Sequence, residues 1–223
     1  MSLKAEIVFE NRHIIVLYKP AGLPVQTASI SKEDVCSQLK NHLKGGYVGV
    51  VHRLDQPVEG LLCFAKDKET AARLTADLGS GRLVKSYKAV VFGKAPRCGS
   101  DVCYMKKSSE GTSIIGEGED YKKAELSYEL LETRKETSLL DISIKTGRFH
   151  QIRAQMAHLS FPILGDAKYG SPESRKLSEE LGIVTPALCA DRLKLYDTES
   201  SSFREFDVTP RNAAFKLYEQ IDS

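Results

Sequence analysis

Apolar and polar positions recur along the chain with two different periods, and the changes between them mark out the elements. Glu6 to Glu10 and His13 to Tyr18 read as strands, separated by the turn-prone pair Asn11-Arg12 and broken by Lys19-Pro20-Ala21-Gly22. Ser31 to Leu43 predicts a helix, with Val35, Leu39 and Leu43 spaced by four and Gly45-Gly46 as its end. Leu61 to Ala65 has the length of a buried strand. Asp67 to Leu78 follows as a helix with Ala71, Leu74 and Leu78 on one face and Gly79 as the stop. Val84 to Phe92, Ala124 to Leu131 and the alternation through Leu140, Ile142 and Ile144 predict strands, the last two with one wet face each. After Gly147 the period lengthens, because Phe149, Ile152, Met156 and Leu159 recur at three and four residues, a helical spacing for which Thr146 is the candidate cap. Pro172 to Leu181 predicts a helix, Ala187 to Leu195 and Phe203 to Val208 strands, and Ala213 to Ile221 a closing helix, with a polar loop expected from Lys107 to Asp120. Strands neighbour strands more often than they alternate with helices. The expectation is therefore an α+β fold, a single domain over residues 1–223 with a mixed, mainly antiparallel sheet flanked by helices.

Length and composition agree with that picture. A chain of 223 residues with 41% hydrophobic content buries roughly 70–75% of its unfolded surface as one domain. No window approaches the roughly 20 apolar residues of a membrane span, and the first ten residues lack a signal-peptide pattern, so the chain reads as soluble and cytoplasmic, with no membrane partner. Five cysteines without a C-x-x-C pair, and five histidines without a ligand spacing, argue against a disulfide framework and against a metal site. The net charge is only +2. Its distribution says more: Arg82, Lys85, Lys88, Lys94, Arg97, Lys106 and Lys107 stand against the one acid Asp101, and no acid lies between Ile142 and Arg153, a stretch holding Arg148. Two such segments in a near-neutral chain suggest a basic surface for a polyanion, with ordinary solvated faces as the alternative.

The densest chemistry is VHRLDQPVEGLLCFAK, residues 51–66, where His52, Arg53 and Asp55 precede a run bound for the interior. A lone Asp can cap a turn or pair with an Arg, so Asp55 by itself decides nothing. On the helix after Gly147, Arg153 falls about 40° from Phe149 at ~100° per residue, at the shoulder of the apolar stripe. A guanidinium there is half-buried and calls for a carboxylate. Tyr87, sharing a strand face with Ala89 and Val91, reads as a core aromatic on pattern alone.

HRLD, then GLL, then Lys85-x-Tyr87, then TGR-x-HQIR, then PILGD-x-KYG, with KPAGL at Lys19 to Leu23 ahead of them all, together resemble the RluA-type family of RNA pseudouridine synthases. Order and spacing agree from about Ile7 to Ala190. Val58-Glu59 departs from the Thr-Ser common in the family, and Cys189 from its usual histidine. The resemblance implies an isomerase, without cofactor, that converts uridine to pseudouridine in structured rRNA or tRNA: the N1–C1′ bond breaks, the uracil turns, and a C5–C1′ bond forms. Asp55 is implied as the nucleophile, attacking at C1′ or C6 or assisting a glycal route. Arg153 is implied as the cation that keeps Asp55 ionised, and Tyr87 as a ring against the uracil. The target base must leave its stack, and Arg53 is placed to fill the gap. His52, Arg148, His150 and Gln151 are expected at the RNA, the two histidines as packing or phosphate-contact residues, together with Lys106 and Lys107 from the basic segment. No obligatory protein partner is expected, nor an S4-type RNA-binding domain, since the first family strand begins by Ile7. Two other readings are a non-catalytic RNA-binding protein that keeps the fold, and a nucleoside hydrolase, which needs a second carboxylate that only Glu59 could supply.

Overall fold

The computed structural model describes residues 4–28 and 33–219. These fall into two compact units, the first formed by Met1–Lys85 and Cys189–Pro210, the second by Ser86–Leu188 and Arg211–Ser223.

In the first unit, β1 (Glu6–Glu10) and β2 (Ile14–Lys19) form an antiparallel hairpin, and β2 continues onto β4 (Glu59–Ala65) in register from Ile14 opposite Ala65 to Lys19 opposite Gly60. All six residues of β2 and all seven of β4 are buried, so both faces of these strands are covered and neither alternates. β10 (Leu188–Asp197) runs parallel to β4 at Cys189 and Ala190, and β11 (Ser202–Asp207) closes that edge antiparallel. A two-residue strand, β3 (Gly49–Val50), pairs with the far end of β4. Gly60 is required where β4 meets β10: its φ is +127°, and a Cβ there would lie 2.5 Å from the backbone N and O of Ala190.

Helix α1 (Val35–His42) starts at an Asp34 capping box, so it begins later than the periodicity suggests; Ser31 lies outside the described residues. Helix α2 (Lys68–Ser80) is capped by Asp67, which accepts from Thr70 N at 2.7 Å, and packs Leu74, with Ala71 and Leu78, onto Ile14, Val16, Leu61 and Cys63. It passes through the expected stop at Gly79 and ends at Gly81, whose φ of 75° closes the helix in the left-handed region.

The second unit is a wholly antiparallel set in the order β5 (Val84–Phe92), β9 (Thr137–Ile144), β8 (Lys122–Arg134), β6 (Cys98–Lys107) and β7 (Ser113–Ile115). The ten-residue β6 was not expected from the pattern, and β7 lies inside the expected polar loop. Asp101 on β6 faces Gln155 of α3 (Gln151–His158), accepting from its Nε2 at 2.8 Å, while Cys103 and Met105 pack on Ala124 and Ala154. An inward aspartate satisfied by a distant glutamine hides the apolar alternation. Helix α4 (Pro172–Glu180) falls where a helix from Pro172 to Leu181 was expected, with proline at its first turn and Ser171 as its cap. The closing helix is a 3-10 turn over Ala213–Tyr218; Ile221 lies outside the described residues. The mixed fold with a mainly antiparallel sheet matches the α+β expectation. No helix among the described residues is long and apolar enough to cross a membrane.

Candidate active-site residues and RNA-facing groups

The HRLD segment enters β4 with alternating sides. His52 and Leu54 are buried, Arg53 is exposed and Asp55 is half-exposed. His52 is a core group: its Nε2 accepts from Cys63 N at 3.2 Å, and burial, then the charge of Lys85, pushes its pKa well below the usual imidazole value. A neutral ring that is 6% exposed offers phosphate neither charge nor access, which corrects the expectation of an RNA contact there. Arg53 reaches outward and donates to Gln26 Oε1 at 2.9 Å.

Asp55 opens a turn, its carbonyl accepting from Val58 N at 3.0 Å. The next residue clamps that turn to KPAGL. Gln56 O accepts from Gly22 N at 2.9 Å, and Gln56 Nε2 donates to Gly22 O at 3.0 Å. Beneath the clamp, Lys19 at the end of β2 is fully buried and donates Nζ hydrogens to the carbonyls of Pro20 (3.0 Å), Leu23 (2.9 Å) and Gln56 (3.0 Å). Burial lowers its pKa to about 8, against the opposing pull of Asp55 and Glu59. Glu59, also buried, accepts from Tyr18 Oη at 2.6 Å. The nucleophile candidate is thus held on a rigid turn above a buried ammonium whose field favours its ionised form.

In the second unit, five expected residues gather around the start of α3. Thr146 is not the helix cap. That position is taken by His150 in the left-handed region (φ 50°), with no side-chain cap bond. Thr146 serves the loop instead: its hydroxyl donates to Gln151 Oε1 at 2.8 Å and accepts from Glu125 N at 2.9 Å. Gln151 also accepts from Arg148 N at 2.9 Å and donates to Glu125 O at 3.1 Å. Being 3% exposed with its amide engaged at both ends, Gln151 ties the loop to β8 and is corrected from an RNA contact to a brace. Arg148 is half-exposed, its Nε donating to Lys123 O at 2.8 Å.

Arg153 is 3% exposed, more deeply set than the shoulder position suggests. Within its own unit it meets Asp166 in a fork, Nε to Oδ2 at 2.7 Å and Nη2 to Oδ1 at 2.8 Å. Asp166 Oδ1 is further held by Lys168 N (3.0 Å) and Tyr169 N (3.2 Å). The Tyr169 ring lies 5.2 Å from the guanidinium carbon. Its hydroxyl accepts from Ser113 N at 2.5 Å and lies 2.9 Å from His150 Nδ1, within hydrogen-bond reach. Burial, then the Arg153 and Lys168 charges, lowers the His150 pKa to about 4. Tyr87 is 4% exposed on β5, opposite Ile142 of β9. Lys106 and Lys107 each stand over an aromatic ring, Tyr121 at 4.7 Å and Phe149 at 4.8 Å. Asp166 and Tyr169 went without a role in the sequence reading, although PILGD-x-KYG placed both in a motif.

Residues 13–158 match the family model for RNA pseudouridylate synthase. Among curated relatives, the chain is 31% identical over 217 residues to the ribosomal large subunit pseudouridine synthase D of Zymomonas mobilis, covering 91% of this chain and 68% of that protein. It is 33% identical to the protein of the same name from Borreliella burgdorferi, covering 90% and 63%, and 29% identical to the tRNA pseudouridine synthase C of Vibrio vulnificus, covering 97% and 93%. The chain thus spans about two thirds, or somewhat less, of the large-subunit relatives and nearly all of the tRNA relative. The solved human RNA pseudouridylate synthase domain containing 4 shares the fold, with a TM-score of 0.77 at 20% identity, covering 95% of this chain and 92% of that one. The motifs, the fold and the matched span together establish that this chain belongs to the RNA pseudouridylate synthases, enzymes that isomerise uridine in RNA to pseudouridine.

Proposed function

We propose that this protein isomerises a uridine in structured ribosomal or transfer RNA, with Asp55 as the nucleophile and Tyr87 and Arg153 serving the same reaction, in the roles that the family resemblance gives them. The observation that carries the assignment of Asp55 is the clamped turn: a half-exposed carboxylate whose backbone is fixed by Gln56 and Gly22 and whose charge is favoured by Lys19. A non-catalytic RNA-binding protein has no use for a carboxylate held in this way, since a negative charge facing RNA repels phosphate. The uridine is extruded from its stack to reach Asp55, at a cost of a few kcal/mol. Exposed Arg53, two residues away, would exchange its bond to Gln26 for the gap.

The relatives named for the large ribosomal subunit and for tRNA make both RNAs candidates. Asp55→Asn keeps the shape and removes the charge. Tritium release from 5-tritiated uridine in transcripts of both RNAs is expected to fall below detection, with RNA affinity kept within a few-fold. A variant that retains a tenth of the wild-type turnover would overturn the assignment.

A further inference from the structure

Phe149 breaks the pattern of its surroundings. It belongs to the polar run Thr146-Gly147-Arg148-Phe149-His150 and is 40% exposed, yet it is held as firmly as a core residue. Its backbone carbonyl accepts from Ser113 Oγ. Its ring lies on the His150 imidazole, with centroids 3.8 Å apart and planes 21° from parallel. His150 is fixed in turn by the Tyr169 hydroxyl, with the Tyr169 ring edge-on at 5.7 Å. The left-handed φ of 50° at His150 is a strained conformation for a residue with a side chain. What it delivers is a flat, rigid backing behind an aromatic ring that no folding argument requires at the surface.

His150 occupies one face of Phe149, so the Lys107 ammonium, 4.8 Å from the ring centroid, stands over the other. Lys107 is exposed at the last position of β6. Lys168 is also exposed, with Nζ on Gly111 O at 2.8 Å, and both lysines act on His150 through their charge. Arg148 adds a third cation one residue away. A backed aromatic face among cations is what single-stranded nucleic acid recognition needs: a surface for the base and positive charge for the phosphates.

We propose that Phe149 is a stacking platform for an unpaired RNA base, with Lys107 as its exchangeable cover, moving from the ring to a phosphate when the base arrives. The exchange is favourable on both sides. An exposed cation–π contact is weak beside a base–aromatic stack, and a phosphate is a better partner for an ammonium than a phenyl ring. The proposal rests on the RNA-modifying reading and adds a nucleotide-binding position to it.

The chain contains no tryptophan, so Phe149→Trp installs a single emitter at the platform. Titration with unmodified tRNA and large-subunit rRNA transcripts is expected to quench its emission. Inorganic polyphosphate, which offers the charge without the bases, is expected to leave it bright. Phe149→Leu, which keeps apolar bulk but loses the ring, is expected to weaken RNA binding about tenfold. Lys107→Met should flatten the dependence of log affinity on log salt by about one unit. Emission unmoved at saturating RNA, equal quenching by polyphosphate, or wild-type affinity in Phe149→Leu would each overturn the platform. Tritium release by the unsubstituted protein on the same transcripts is scored separately: quenching without isomerisation refutes the proposed function and leaves the platform standing, and isomerisation without quenching does the reverse.

Discussion

The turn that carries Asp55 and the loop that opens α3 are each built around a buried cation, and the two cations are held in opposite ways. Lys19 is ringed by three neutral carbonyls, from Pro20, Leu23 and Gln56. Arg153 is gripped by the full negative charge of Asp166, bond for bond. Carbonyl dipoles satisfy an ammonium's hydrogens but only part of its lost hydration, which is why Lys19 titrates near 8. A planar guanidinium on a carboxylate fork gains direction as well as charge neutralisation. The first arrangement keeps a positive field beside the Asp55 carboxylate. The second fixes a geometry, from which Tyr169, His150 and the start of α3 are positioned.

The contrast can be broken most directly at Asp166. Asp166→Ala leaves Arg153 buried without its fork and strips the acceptor from the Lys168 and Tyr169 amides, and it should cost about 3–5 kcal/mol in urea unfolding. A loss below about 1 kcal/mol would mean that Arg153 does not depend on this partner.

Lys19→Met should cost less, about 2 kcal/mol, because three carbonyls lose a donor while the burial of a charge is relieved. It also sharpens the comparison through pH. The folded chain releases the Lys19 proton near pH 8, whereas a free lysine holds its proton to an ordinary value of 10.5. Between these values the unfolded state binds more protons, so this lysine's contribution makes stability rise with pH. The rise should be present in the wild type and missing from Lys19→Met. Identical stability–pH slopes over that window in the two proteins would refute the assignment.

A smaller effect is expected at His52. His52→Leu fills the site but leaves Cys63 N–H without its acceptor, at about 1–2 kcal/mol, and RNA affinity should not change. Weakened RNA binding with stability intact would restore the phosphate-contact role. An effect confined to acid pH belongs to His150, whose folded pKa of about 4 lies below the usual imidazole value of 6.5. As pH falls from 6.5 towards 4 the unfolded chain takes up a proton that the folded chain refuses, so this residue costs stability progressively in that window. His150→Gln should show a shallower acid-side decline, read by thermal unfolding at several pH values.

Where the sequence was legible, the physical cause was local. Strand and helix periods marked β1, α2, β8 and β9 because one face of each meets the core, while β2 and β4 were marked as short apolar runs because both of their faces are buried. The motifs around Asp55, Tyr87 and Arg153 lay in contiguous stretches. β6 was illegible because Asp101 points inward and is satisfied by Gln155, fifty-four residues away. Gly79 and Thr146 misled because each has the right residue type, the first two residues and the second four residues from where the helix end actually falls. His52 was left between packing and a phosphate contact because nothing in HRLD reveals that it points toward the backbone of β4.

By itself, then, the sequence determined the class of fold and the family, and it singled out the groups proposed to bear chemistry, since these follow from local periods and from residue types at fixed spacing. Only the tertiary structure decided how those groups are charged and which of them face outward. Lys19 near 8, His150 near 4, the Arg153–Asp166 fork and the backing of Phe149 by His150 all arise from contacts between segments far apart in the chain. Burial and charge act through space, and a linear spacing carries no record of them.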